Sequence, residues 1–188
     1  MAFDLPPLRI ALYFTLGLFS FILFCLSAAR IHYTTHLPAG DPLNGGHNFY
    51  DPVIAELIFT TLITMGWCIY IIFVIHKRID DRPVTLFRDE MIGLGVLWLF
   101  WLIGSAVASS IWGNLGFCQQ FGACRLLSAL LAFAWLGWII LSVLLVLSIL
   151  FSFANGALME PLHGRWDPRA SRYRDSHATF PGRPMSTA

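Results

Sequence analysis

The chain has 188 residues, of which 57% are hydrophobic and 12% charged, with a formal net charge of +1 and a mean hydropathy of +0.68. Soluble domains carry about 45–50% apolar and about 25% charged residues, so water is the wrong solvent for most of this surface. Near-zero net charge and the lack of a basic run interleaved with aromatics argue against nucleic acid as a partner, and no P-loop, dinucleotide glycine pattern, HExxH or GxSxG motif is present.

Four apolar runs follow in chain order, over about 10–29, 53–75, 91–111 and 126–153. Each has the ~20 residues needed to cross ~30 Å of hydrocarbon as a helix. Uninterrupted apolar runs without alternation exclude a barrel. The predicted fold is an all-α membrane protein, an antiparallel bundle of four transmembrane helices over 8–156. A short segment (1–7) precedes it, and a disordered tail (157–188) follows.

Ser27-Ala28-Ala29 closes the first run and resembles a signal-peptide cleavage site. The run is longer than the ~7–15 residues of an h-region, and its leader carries Asp4 beside Arg9. The run is therefore expected to remain as a span. Small residues Gly17, Ser20, Ser27 and Ala28 give it a packing face.

The gap at 30–52, "RIHYTTHLPAGDPLNGGHNFYDP", holds His32, His36 and His47, which could meet around a metal. Its prolines and glycines favour a solvated loop instead, and no metal or cofactor is expected. Asp51 suits the N-cap of the second helix and Pro52 its first helical position. Glu56 then lies about one turn inside, with Thr60 and Thr64 on the same face at i+4 spacing. A proton or ion path would want such a stripe. With no second ionisable residue deeper on it, a role at the helix start and within the bundle is the plainer expectation.

The third run offers two small-xxx-small pairs, Gly104/Ala108 and Ser105/Ser109. The fourth offers Ser128, Ala129 and Ala132. Such pairs serve bundle packing or, more specifically, a homo-oligomer seam. Trp98 and Trp101 on the third span and Trp135 and Trp138 on the fourth fall near mid-membrane at i, i+3 spacing. They are expected to pack on each other, with lipid contact in a sterol or sphingolipid groove as the functional alternative.

Orientation follows from Lys and Arg near the span ends. Arg9, the 77–88 gap and the tail carry ten of the twelve, and Arg30 and Arg125 are the other two. Both termini and the 77–88 gap are therefore expected to be cytoplasmic. The loop "WGNLGFCQQFGAC" at 112–124 then faces an oxidising compartment, where Cys118 and Cys124 are expected to form a disulfide. Gln119, Gln120 and Phe121 would become an outward knuckle, and Cys25 and Cys68 small buried apolar residues. The tail, rich in Pro and Arg, is expected to be disordered, with Trp166, Tyr173 and its arginines near anionic lipid.

"LWLFWLIG" at 97–104, the 112–124 loop, "LLAFAWLGWIILSVLL" at 130–145 and "HGRWDPR" at 163–169 together resemble fungal MARVEL-domain proteins over roughly 8–169. The resemblance implies four helices with both ends cytoplasmic and a role in membrane apposition, vesicle traffic or plasma-membrane microdomains. Some members carry a cysteine pair in the second outer loop, and the family supplies no catalytic residues. Claudins differ in placing their cysteines in the first outer loop, and quinone-linked disulfide oxidoreductases require a CxxC that this chain lacks. The leading expectation is a non-enzymatic organiser of the plasma membrane or secretory membranes, contacting lipids and other membrane proteins. The alternative is a small transporter or channel using Glu56 and the Thr60/Thr64 face.

Overall fold

The computed structural model describes residues 5–37, 47–77 and 87–155. The tail expected over 157–188 and most of the 77–88 gap lie outside them. Four α-helices make up nearly all of the described chain: α1 (Leu5–Thr35), α2 (Pro52–Lys77), α3 (Phe87–Ile111) and α4 (Gly122–Asn155). All four are long and apolar enough to cross a membrane, as a multi-pass membrane protein requires.

Every helix outruns its apolar run. Hydropathy registers the part that matches hydrocarbon, whereas backbone hydrogen bonding continues until a cap or a turn stops it. Thus α3 begins at Phe87 rather than 91, which brings Asp89 and Glu90 into its first turn. α4 begins at Gly122 rather than 126, placing Cys124 in its first turn. α2 starts at Pro52 with the Ile54 amide donating to the Asp51 carbonyl at 3.1 Å, as expected for proline at the first helical position.

α1 packs on α2 and α4, and α3 packs on α4 and more sparsely on α2. The four helices therefore form a ring in which α1 and α3 are diagonal. The buried positions step by four and three: 9, 13, 16, 20, 23, 27, 30 and 34 on α1, and 90, 94, 97, 101, 104 and 108 on α3, where Ser105 is buried beside Gly104. A 4-3 rhythm of this kind is what lets side chains of neighbouring helices interlock along one seam.

Outside the seam the helices are as apolar as inside it. Phe14, Phe21, Ile69, Leu99, Ile103 and Leu150 are all more than half exposed, which suits a surface facing lipid tails. Close approach replaces hydrophobic burial as the source of cohesion in that setting. A Cβ added at Gly93 would overlap the Trp67 ring, and one at Gly137 the Trp101 ring. These glycines exist to seat the two indoles.

Among the small residues singled out by sequence, Gly104, Ser105, Ala108, Ser20 and Ser27 lie in the seam. Ala28 and Ala132 face outward instead, and on α4 the inward small positions include Ala134, Gly137, Ser148 and Ser152. Cys68 is buried at 2% exposure, but Cys25 is exposed, contrary to expectation. It falls midway between the seam positions Leu23 and Ser27 and so points off the seam.

Candidate functional site: polar groups enclosed by the helices

Seam positions in this bundle carry many of its polar side chains, and three clusters result. The first lies where α1 and α3 begin. Glu90, fully buried, accepts hydrogen bonds from the Arg9 guanidinium and the Tyr13 hydroxyl, which reach it across the diagonal of the ring. Charge-assisted bonds of this kind are the strong ones, and a buried pair is tolerable only when its geometry is complete. The position of Glu90 in the first turn of α3 adds the favourable field of the helix N-terminus.

The apolar run over 91–111 begins one residue after Glu90, and Arg9 enters the sequence reading only as a charge flanking the first run. The missed signal was periodic: Arg9 begins the same 4-3-4-3 series that continues through Tyr13, Leu16 and Ser20.

The second cluster is the stripe on α2, and the structure brings its three residues together. The Thr60 hydroxyl donates to Glu56 Oε1 at 2.8 Å. The Thr64 hydroxyl donates to the Thr60 carbonyl at 2.7 Å and accepts the Trp101 indole N–H at 2.9 Å. Thr60 and Thr64 are buried, Glu56 is half-buried, and its Oε2 has no hydrogen-bond partner. That oxygen lies against Gly104, where an added Cβ would collide with it.

The stripe ends on Trp101, which is fully buried and fills the space over Gly137. Beyond it the seam positions Cys68 and Ile71 on α2 and Leu94 and Leu97 on α3 are apolar and buried. These apolar positions lie between the Glu56 cluster and the Glu90 cluster.

The third cluster joins α3 to α4 through indoles. Trp98 donates to Ser142 Oγ at 2.8 Å, and its ring centroid lies 5.6 Å from that of Trp138. Trp135 packs edge-on to Trp138 at 5.6 Å and donates to Ser109 Oγ at 2.9 Å. The expected packing between the two tryptophan pairs is thus seen at Trp98 and Trp138, while Trp135 packs on Trp138 of its own helix, and all three are half-buried. Trp101 is different: it points into the seam and offers nothing to lipid. A lipid groove in this region has only the other three indoles to draw on.

Where α1 ends and α4 begins, Cys118 and Cys124 are joined, with Cα atoms 5.8 Å apart. A 3-10 turn over Gly116–Cys118 leads into the bridge, and Gln119, Gln120 and Phe121 project outward as exposed side chains. Gln119 ties back to Ser128 Oγ at 2.6 Å. Nearby, buried Arg30 faces Asp51 at 3.5 Å and the Phe49 ring at 5.8 Å.

His32 and His36 stack at 4.8 Å on the exposed end of α1. Among the described residues no group of three or more His, Cys, Asp or Glu is placed to hold a metal ion. Comparison of the chain with protein-family models, curated proteins and solved structures finds no match in any of the three.

Proposed function

We propose that the chain is a non-enzymatic, multi-pass membrane organiser. It is an antiparallel bundle with both termini in the cytoplasm that acts through lateral contacts with lipids and other membrane proteins in the plasma membrane or secretory membranes. The one observation that carries this reading is the disposition of polarity. Glu90 is bonded to Arg9 and Tyr13 and Thr64 to Trp101 inside the ring, apolar buried side chains lie between the two acidic clusters, and large apolar side chains line the outside of all four helices. Such a molecule presents its surroundings with a shape and an apolar surface rather than a path. The distribution of Lys and Arg and the resemblance to fungal MARVEL-domain proteins support the orientation and the organising role.

One observation favours the second reading, a small transporter or channel. Glu56 keeps one carboxylate oxygen without a hydrogen-bond partner, and an intramembrane carboxylate of that kind is where an ion or proton would bind. Ion and proton flux into proteoliposomes separates the two. Absence of flux in wild type, with a tagged chain concentrating in lateral patches of the plasma membrane or vesicles, is the expected result. Flux that disappears in Glu56→Gln would overturn the organiser reading.

A further inference from the structure

Beside the disulfide, α1 and the start of α4 leave a cleft of about 480 Å³ lined by Ala29, Arg30, Tyr33, Gly122, Ala123 and Leu126. Its two sources of positive potential are independent. One is the N-terminus of α4, a helix of 34 residues whose first turn is held by the Cys118–Cys124 bridge. The earliest amides to bond in it are those of Cys124 and Arg125, both onto the Phe121 carbonyl. The amides of Gly122 and Ala123 precede them, and a Cβ built at Gly122 would meet nothing within 4 Å.

The other source is Arg30. It is 4% exposed, and only its Nη2 reaches Asp51, at a long 3.5 Å. Its Nε and Nη1 are buried without any acceptor. A buried guanidinium with donors to spare, beside a helix N-terminus with free amides, is built for an oxyanion.

We propose that this cleft is a phosphate site, with Arg30 and the Gly122 and Ala123 amides holding the phosphodiester of a phospholipid headgroup. Ala29 and Leu126 supply the apolar wall along which the glycerol and upper acyl chain lie. The site sits where α1 leaves its apolar run, at the depth of headgroups in a spanning bundle. The lipid source rests on the membrane-organiser reading above, whereas the phosphate chemistry does not. Ion or proton flux that disappears in Glu56→Gln would break that reading without touching this one.

The test uses the full chain, purified in a phosphate-free nonionic detergent. Native mass spectrometry and thermal unfolding read the binding of dioleoylphosphatidylglycerol, dioleoylglycerol and inorganic phosphate. One dioleoylphosphatidylglycerol is expected to bind and raise the unfolding temperature, while dioleoylglycerol does neither. Arg30→Gln is expected to weaken binding about tenfold or more, the loss typical of charge-assisted bonds to phosphate. Ala29→Phe, on an exposed position that leaves the Arg30–Asp51 pair in place, fills the cleft and should weaken binding as much even if Arg30→Gln fails to fold. Asp51→Asn, which removes the competing carboxylate and keeps an N-cap residue, should tighten it.

Inorganic phosphate that binds with the same sensitivity to Ala29→Phe supports the site with the free ion as its source. Equal binding of dioleoylglycerol and dioleoylphosphatidylglycerol, or undiminished phospholipid binding in Ala29→Phe, overturns the proposal.

Discussion

Arg9, Tyr13 and Glu90 form a unit whose energetics can be taken apart. In bundles within lipid, a neutral interhelical hydrogen bond averages only ~0.6 kcal/mol, because the unfolded reference state also finds partners. Here the acceptor is a fully buried carboxylate and one donor is a guanidinium 4% exposed, so the larger values for charged bonds apply. Tyr13→Phe deletes one donor and should destabilise by about 1.5–3 kcal/mol. Arg9→Met leaves the carboxylate without its counter-ion and should cost about 3–5 kcal/mol.

The diagnostic variant is the double substitution Arg9→Met with Glu90→Leu, which removes both charges at once. It should be less destabilised than Arg9→Met alone, with a coupling of roughly 2–3 kcal/mol. Unfolding by SDS in mixed micelles, followed through the fluorescence of the seven tryptophans, gives the values for Tyr13→Phe, Arg9→Met, Glu90→Leu alone and the double variant, from which the coupling follows. Additive single and double losses, or an Arg9→Met change within about 0.5 kcal/mol of wild type, would refute a closed triad, since surface substitutions behave that way.

Gly137→Ala should destabilise by about 1–3 kcal/mol through overlap with Trp101, and Trp101→Phe in the same chain should recover part of that loss, as the same unfolding titration will show. Non-reducing peptide mass spectrometry should recover Cys118 and Cys124 linked, with Cys25 and Cys68 as thiols. Cys118→Ser and the double serine variant should each lose the same amount, on the order of 2 kcal/mol for so short a loop. Single-cysteine labelling of intact cells should reach position 115 and fail at position 82; the reverse pattern would invert the bundle. Deleting 171–188 should leave helical content unchanged by circular dichroism, because a Pro- and Arg-rich segment has no apolar face to add to a core.

The spans themselves were legible because lipid demands a length and an apolarity that few other contexts produce. Their faces were not. In water an amphipathic helix advertises its buried side by contrast with a polar one, but here Phe14, Phe21 and Leu99 on the outside are as apolar as Leu16, Leu23 and Leu97 within. The contrast that remains is between small or polar and large apolar. It is present in Ser20, Ser27 and Thr34, in Thr60, Thr61 and Thr64, and in Ser148 and Ser152, all buried.

Reading that contrast at heptad spacing would have turned Arg9 and Glu90 inward. It would also have separated Trp101 from Trp98, since three residues rotate a side chain by about 60° from its starting direction on a helix of 3.6 residues per turn. That rotation carries one indole into the seam and leaves the other at its α4 edge. The unpartnered donors of Arg30 depend on where Asp51 and α4 lie, and no spacing along the chain reveals them.

Two different devices hold the ring together, and they divide between its helices. α2, α3 and α4 are keyed by large side chains seated on glycine: Trp67 on Gly93, Glu56 on Gly104 and Trp101 on Gly137. α1 has Gly17 against Cys68 Cβ at an ordinary 3.6 Å and no such keyed contact. It is instead pinned by charge at each end, Arg9 to Glu90 on α3 and Arg30 to Asp51 ahead of α2. The two arginines are separated by about 32 Å along the helix at 1.5 Å per residue, close to the ~30 Å of hydrocarbon in a bilayer. Lipid contributes little attraction between helices, but it penalises a charge at the wrong depth. The same pair of residues that fixes α1 against its neighbours is thus spaced to favour one depth for a ring set in a bilayer, and the keyed trio would take its register from them.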